Sequence, residues 1–478
     1  MRPVTGVATA PADLAVVRRA LADAAPVPFW LDNPLAPEPA PPLDGLQTCD
    51  LAVVGGGMTG LWTAVLAKEA DPARDVVLLE AERVGGQASG RNGGFCMATL
   101  THGLGNGLSH LPDEVDELER LGRENLDDIE RAVERHAIDC DWRRVGEIDA
   151  AVTPWQAAEL AETRDLMLAR GRDVEWFDTD AMQAEISSPT YHAGLWKKDR
   201  CAMVDPARLA WGLARAAREL GVRIHEETRV ETLEPTSAAL VLRTPGGALT
   251  ARRVMLATNA FPSLVPSARR RIVPVYDHAL MTEPLTDEQW AAVGWRRYQG
   301  VADAGNRFHY YRRTADGRML WGGYDALYHY GSAIDPALER RPATFEKLAG
   351  HFFGTFPQLE GLRFTHAWAG VIDTCARLFQ FWGTAHGGRV AYALGYTGMG
   401  VGETRFGALV GLDLLDGRET ERTRLKLTTT KPIPWPPEPL RAGVVGLTSW
   451  SLGRADANEG RRNAWLRTLD RLGLGFDS

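Results

Sequence analysis

The stretch from Leu51 to Glu80 constrains this chain more than any other. Leu51–Val54 is a short apolar run suited to a strand buried on both faces. Gly55-Gly56-Gly57-Met58-Thr59-Gly60 follows at once, Leu61–Glu69 has helical spacing, and a second apolar run, Val76–Leu79, ends in Glu80. Strand, glycine loop, helix, strand and terminal acid make a βαβ unit whose purpose is to hold a dinucleotide. Gly55 permits the tight turn out of the strand. Gly57 removes a Cβ from the space of a diphosphate, and Gly60 lets helix and strand approach closely. The helix start presents free N–H groups, including those of Met58 and Thr59, and the positive end of its dipole. Glu80 is placed to accept hydrogen bonds from a ribose.

The rest of the chain is built around that unit. At 478 residues it is too long for one compact core, and 45% hydrophobic with 24% charged residues is ordinary globular composition. Lys and Arg total 54 against 62 Asp and Glu, a net charge of −8, which excludes a dedicated nucleic-acid binder. Cys49, Cys96, Cys140, Cys201 and Cys375 are scattered, with no CxxC pair, no HExxH and no zinc spacing. No metal is expected, and the thiols read as reduced, in a cytoplasmic setting. Asp13, Arg18, Arg19 and Asp23 interrupt any apolar run of signal length between Met1 and Ala25, and no stretch reaches membrane-span length. Seven prolines between Pro26 and Pro42 forbid regular structure and favour an extended arm, in which Phe29 and Trp30 either pack on a surface or are disordered.

Further along, Leu111–Ile138 carries Val115, Leu118, Ile129 and Val133 on one helical stripe. Trp142–Val152 reads as a strand, Pro206–Leu220 as a helix, and Gly221–His225 through Arg229–Glu231 as strands. Arg253–Thr258 is another buried strand. From Ile272 to Ile372 the texture is aromatic and alternating, with Asp316-Gly317 as a hairpin turn between Phe308–Arg312 and Arg318–Gly322. Gly395–Gly400 is a second glycine-lined helix start, Pro432–Pro439 is extended, and Asn458–Leu472 reads as a terminal helix.

The segment Gly86-Gln-Ala-Ser-Gly-Arg-Asn-Gly-Gly94, with the GGGMTG loop, Glu80, Val204-Asp205-Pro206, Val254–Asn259 and Gly395-Tyr-Thr-Gly-Met-Gly400, resembles the D-amino-acid-oxidase (DAO) type family of FAD-dependent amine and amino-acid oxidoreductases. Its γ-glutamylputrescine-oxidoreductase-like branch is the most similar, and the likeness runs from about residue 46 to about residue 450. The resemblance implies an α/β fold: a Rossmann-like FAD domain with a parallel sheet and a mostly antiparallel α+β substrate domain. The expected partition is a proline-rich arm at 1–45, FAD-domain segments at 46–140, 198–268 and 376–440, substrate-domain segments at 141–197 and 269–375, and a helical tail at 441–478.

The resemblance further implies FAD held by Gly55, Gly57, Met58, Thr59, Gly60, Glu80 and Ala81, by Ser89, Arg91, Asn92 and Gly93, and by the Val230 backbone at the adenine. Ala257, Thr258, Gly395, Thr397, Gly398, Met399, Gly400 and Val401 would complete the site. Relatives that link flavin through histidine do so near Gly86–Gly94; no histidine stands there, so FAD is expected to be non-covalent. Cys375 lies where some relatives attach flavin through cysteine, but its surroundings do not match that motif. Met399 stands where the family often carries histidine, which bears on oxygen reactivity.

The implied activity is oxidation of a C–N bond of a small amine or amino acid to an imine, with O₂ or another acceptor restoring the flavin. Tyr276, His278 and Arg312 are the expected substrate-contact residues, Arg312 through the substrate's acidic group. Pairing of Arg312 with Asp316 at the surface is the competing reading, and Tyr311 and Trp321 are read as sheet packing. A flavin monooxygenase, or a flavin-bound subunit of a larger dehydrogenase complex, are the alternatives; no second GxGxxG for a nicotinamide is present.

Overall fold

In the computed structural model, which describes residues 13–475, the Leu51–Val54 run is the buried end of a strand spanning Gly45–Val54. It lies between Gly247–Leu256 and Val76–Leu79, parallel to both. Arg223–His225 and Val390–Leu394 extend this parallel sheet on either side, and Phe381–Ala385 closes one edge antiparallel. The buried stretches Leu51–Val54, Val76–Leu79 and Val254–Leu256 of the central strands are apolar because both faces are covered there. Helices Met58–Ala70, Val115–Arg135, Pro206–Glu219 and Gly400–Asp416 share a core with one face through Leu61, Val65, Ile129, Leu213 and Phe406. The Thr232–Pro235 and Leu240–Thr244 strands fold back against Gly247–Leu256, and Leu240 and Leu242 share a core with Val54 and Leu79.

Local chemistry sets these boundaries. Asp205 caps the Pro206–Glu219 helix by accepting from the Arg208 N–H at 3.0 Å, and Pro206 occupies the first turn, where its missing N–H costs nothing. Val115–Arg135 buries the expected Val115, Leu118, Ile129 and Val133.

The second sheet has eight strands, in the order Phe364–Thr374, Val273–Thr282, Met319–Gly323, His309–Arg313, Gly300–Asp303, Glu147–Ala151, Ala193–Lys197 and Val174–Phe177. Only the Gly300–Asp303 and Glu147–Ala151 pair is parallel. Gly317, at φ +78°, makes the hairpin turn between His309–Arg313 and Met319–Gly323. One face of this sheet is an aromatic core of Tyr311, Trp321, Phe352 and Phe356; the Tyr311 and Trp321 rings lie 4.6 Å apart.

Several expectations shift. The strand expected over Trp142–Val152 is only Glu147–Ala151, and Val230 precedes the Thr232–Pro235 strand instead of lying within one. The tail forms two helices, Leu440–Asp456 and Ala464–Arg471, where one was expected. Residues 1–12 of the arm lie outside the described residues. Its proline segment is packed: Trp30 is 4% exposed and shares a core with Ala207, Met281, Leu320 and Trp368. Among the described residues no helix is long and apolar enough to cross a membrane.

Candidate active site

A cavity of about 810 Å³ opens at the carboxyl ends of the parallel strands, where Val54, Leu79 and Ala257 line it, and continues to the face of the antiparallel sheet. Ligands of open α/β sheets gather at these strand ends. The glycine loop forms the near wall. Gly55 has φ +109°, and a Cβ there would stand 2.4 Å from the Ala257 carbonyl oxygen. A Cβ on Gly60 would stand 1.9 Å from the Gly55 carbonyl oxygen, so Gly60 serves helix–strand approach and does not line the cavity. A Cβ on Gly57 would point at Ser89, 2.9 Å from Oγ. Gly57 caps the Met58–Ala70 helix with no side chain, and the Met58 N–H donates to Ser89 Oγ at 2.9 Å. The Met58 N–H is thus spent on Ser89 and is not free as expected, while the side-chain-less Gly57 and the positive end of the helix still favour an anion there.

Glu80 lines the cavity, and its two oxygens accept from the Gly56 N–H at 2.6 Å and the Glu82 N–H at 2.8 Å. Burial nevertheless pushes its carboxyl up. Ala81, Arg229 and Val230 continue the wall beyond it. Thr258 adds a buried hydroxyl with no hydrogen-bond partner among the described residues, a donor on the cavity wall for a ligand.

The Gly86–Gly94 loop crosses the middle of the cavity with Ser89, Arg91, Asn92 and Gly93 on its lining. Two of these side chains are spent on the protein, contrary to their reading as free donors. Asn92 donates to the Ala88 and Ser89 carbonyls and accepts from the Gly94 N–H at 2.8 Å, which fixes the loop. Arg91 donates to the Gly86 carbonyl and pairs with Glu339 at 2.8 Å.

Opposite, Thr397, Gly398, Met399, Gly400 and Val401 line the cavity at the start of the Gly400–Asp416 helix. Gly395 does not; a Cβ there would meet Phe381 at 2.8 Å, so this glycine serves packing. The turn is tied down by Asp373, whose carboxylate accepts from the Gly395 N–H at 2.5 Å while burial pushes it up to about 7. Cys375 lines the cavity too, its thiol 3.1 Å from the Phe379 carbonyl oxygen. Burial pushes that thiol up and keeps it protonated, away from the thiolate that nucleophilic chemistry requires.

On the antiparallel sheet the three expected contact residues fall outside the cavity. Side chains alternate along a strand, and the Val273–Thr282 strand turns Val275, Asp277 and Ala279 toward the cavity. Tyr276 and His278 face the other way and are fully buried. Arg312 is buried beneath the Gly94 loop, donating to the Val204 carbonyl at 2.5 Å and lying over the Trp30 ring, not pairing with Asp316. Sequence reasoning missed Asp277 and Tyr310, both on the cavity wall, with the Tyr310 hydroxyl donating to Asp277 Oδ2 at 2.6 Å. The one carboxylate in a largely buried strand was the available signal. It also missed Trp435 in the extended Pro432–Pro439 stretch and Val444, Thr448, Ser449 and Leu452 of the tail, which line the same cavity.

A dinucleotide cradle joined through one cavity to an aromatic antiparallel sheet is the arrangement of a flavin-type oxidoreductase. Residues 50–410 match the family described as DAO, FAD dependent oxidoreductase, and the chain belongs to that family. It is an FAD-dependent oxidoreductase related to amine and amino-acid oxidases. The chain is 33% identical to γ-glutamylputrescine oxidoreductase of Escherichia coli (strain K12) over 389 residues, 79% of this chain and 86% of the relative. It is 25% identical to glycine oxidase of Geobacillus kaustophilus (strain HTA426) over 334 residues, 66% and 86% of the two chains. The crystal structure of the Geobacillus kaustophilus glycine oxidase superposes with a TM-score of 0.68 at 22% identity, covering 81% of this chain and all of that one. L-proline dehydrogenase from P. horikoshii superposes at 0.64 with 16% identity, covering 80% and 96%. The glycine cradle, Glu80 and the unpartnered Thr258 hydroxyl fit FAD held without a covalent link.

Proposed function

We propose that this chain oxidises the C–N bond of a small amine or amino acid to an imine, which water then hydrolyses to a carbonyl compound and ammonia or an amine. The carrying observation is the single cavity joining the Gly57 and Glu80 cradle to Asp277 and Tyr310. Bound FAD supplies a two-electron acceptor for the hydride on the carbon next to nitrogen. The chain's own residues do the rest. Gly55, Gly57, Met58, Thr59 and Ser89 would hold the diphosphate, Glu80 and Ala81 the ribose, and the Val230 backbone the adenine. The Thr397–Val401 turn lines the same cavity, and the positive end of the Gly400–Asp416 helix would favour negative charge on a bound flavin there. Trp435 of the Pro432–Pro439 stretch and Leu452 of the tail exclude water from the substrate end, which strengthens every polar contact inside.

The acceptor that restores the flavin is O₂ or another oxidant, with Met399 in the turn where the family often carries histidine. A cytoplasmic setting belongs to the same proposal, supported by five cysteines that are all buried and unbridged. Anaerobic mixing of the yellow holoenzyme with a panel of amines and amino acids tests the reading. Bleaching of the visible flavin band by at least one of them without NAD(P)H is expected; a panel that leaves the band untouched overturns it.

A further inference from the structure

Asp277 stands in the middle of the sheet face of the cavity, between Val275 and Ala279 on the same strand. Its carboxylate has one side-chain partner, the Tyr310 hydroxyl at 2.6 Å, and the His278 backbone N–H lies alongside. No lysine or arginine among the described residues pairs with it; the ion pairs of this region run elsewhere, Arg91 to Glu339 and Lys347 to Asp325. We propose that Asp277 seats the ammonium group of the substrate, with Tyr310 as the residue that positions its carboxylate, and that the site therefore selects cationic amines over α-amino acids. The proposal rests on the oxidoreductase reading above and names its substrate class: the seated ammonium passes one proton to the Asp277 carboxylate, and the neutral amine then gives up the hydride of its neighbouring carbon, leaving the protonated imine that water hydrolyses.

Three features carry it. A carboxylate taken out of bulk water without a cation is unfavourable, and a cation arriving from the cavity relieves that cost. Burial pushes Asp277 up to about 6, with no positive side chain to offset it. Tyr310 is held rigidly: Cβ atoms on Gly93 and Gly322 would come within 2.7 Å and 2.6 Å of its ring, and Phe95 packs edge-on at 6.0 Å. Its hydroxyl is fixed, so the carboxylate it donates to is fixed as well.

The arginines that would receive an α-carboxylate are already engaged. Arg312 donates to Val204 and Gly94 carbonyls, Arg91 to Gly86 and Glu339, and Arg307 to the Ser449 carbonyl at 3.0 Å. An α-carboxylate beside a seated ammonium would instead face the Asp277 carboxylate, and like charges at that range repel.

tert-Butylamine tests the seat, because it carries an ammonium group but no hydrogen on the carbon next to nitrogen and cannot be oxidised. Titrated into the wild-type holoenzyme, it is expected to perturb the visible flavin spectrum saturably, while tert-butanol does not. Asp277→Asn should weaken that binding about 10- to 30-fold, the loss of a charge-assisted contact. Asp277→Glu should restore most of it, and Tyr310→Phe should weaken it by a smaller factor. Flavin content per chain reports whether each variant folds. In turnover, a primary alkylamine should exceed the α-amino acid with the same side chain in kcat/KM by more than about tenfold. Equal binding by wild type and Asp277→Asn, equal binding of tert-butanol, or no saturable binding to wild type overturns the seat. If alkylamines still bleach the flavin in that case, the oxidoreductase reading stands and only the seat falls.

Discussion

The indole Nε1–H of Trp30 donates to the backbone carbonyl of Asn92 at 2.8 Å, tying the proline-rich arm to the loop that crosses the middle of the cavity. Asn92 is itself the brace of that loop, bonded to Ala88, Ser89 and Gly94. Trp30 also lies over the Arg312 guanidinium, which reaches the Gly94 carbonyl from below. Arm, loop and buried arginine thus form one connected network under the cofactor site.

Trp30→Phe keeps most of the buried ring and deletes the hydrogen bond, so it should cost about 1 kcal/mol. Trp30→Ala leaves a cavity and should cost about 3–5 kcal/mol. Both should release flavin at lower temperature than wild type, in that order. Flavin fluorescence followed through a thermal ramp measures it, and wild-type release temperatures for Trp30→Ala would remove the arm from the site.

Gly57→Val should give a folded chain that purifies without colour. Gly57 has φ −79°, so the backbone tolerates a side chain; the obstacle is Ser89 Oγ, 2.9 Å from the new Cβ, and the diphosphate space beyond. Far-UV circular dichroism close to wild type with flavin content near zero is the expected result. Full FAD retention would refute the placement of the diphosphate.

The parallel half of the fold was legible because its signals are local. The Leu51–Val54 run, its glycines and Glu80 specify strand, turn and acid within one short segment. The sheet face was not legible, because which side of a strand meets the cavity depends on pairing register. Val273–Thr282 alternates Tyr276, Asp277 and His278, and a shift of one residue exchanges the two faces. Chemistry-bearing residue types drew attention to Tyr276 and His278, whereas the register gives the cavity to Asp277. Arg312 shares a strand face with Tyr310, but its guanidinium is spent beneath the Gly94 loop on the Val204 and Gly94 carbonyls, a long-range contact that no local pattern shows. A helical tail was expected, but its first helix, Leu440–Asp456, was not delimited because Gly443, Gly446 and Gly453 are poor helix formers, and its place on the cavity wall has no local signal.

Asp277 should also leave a pH signature on the apoprotein. Its carboxyl titrates near 3.8 when free and near 6 in the folded chain, because burial disfavours the charge. Between those values the folded state holds more proton than the unfolded one, so stability falls as pH rises through the window and the loss is complete above it. Asn carries no charge and escapes the loss. The apo Asp277→Asn variant should therefore melt about 1–2 °C above wild type near pH 8, a figure reduced for the carboxylate's partial contact with cavity water. The gap should close as the pH falls toward about 4. Melting curves at a series of pH values decide it, and a gap independent of pH assigns the effect to packing.

Asp456 decides how firmly the tail closes the substrate end. Its Oδ1 accepts from the Asn306 N–H at 3.0 Å and Asn306 Nδ2 at 2.7 Å, and its Oδ2 from the Arg307 N–H at 3.0 Å. These bonds fasten the end of the Leu440–Asp456 helix to the loop before the His309–Arg313 strand, while Thr448, Ser449 and Leu452 of the same helix line the cavity. Asp456→Ala removes all three and should loosen the docking of the tail helix by about 2 kcal/mol, given that bonds to a charged acceptor exceed neutral ones. The diphosphate cradle lies on the other sheet and keeps its contacts, so flavin content should stay at the wild-type level. Water and small quenchers gain entry at the substrate end, so iodide should quench flavin fluorescence more steeply. KM for a responding amine should rise several-fold, because the wall that orders the substrate now moves, while the contacts at Asp277 persist. A variant with unchanged quenching and unchanged KM would show that the tail covers the cavity without shaping what enters it.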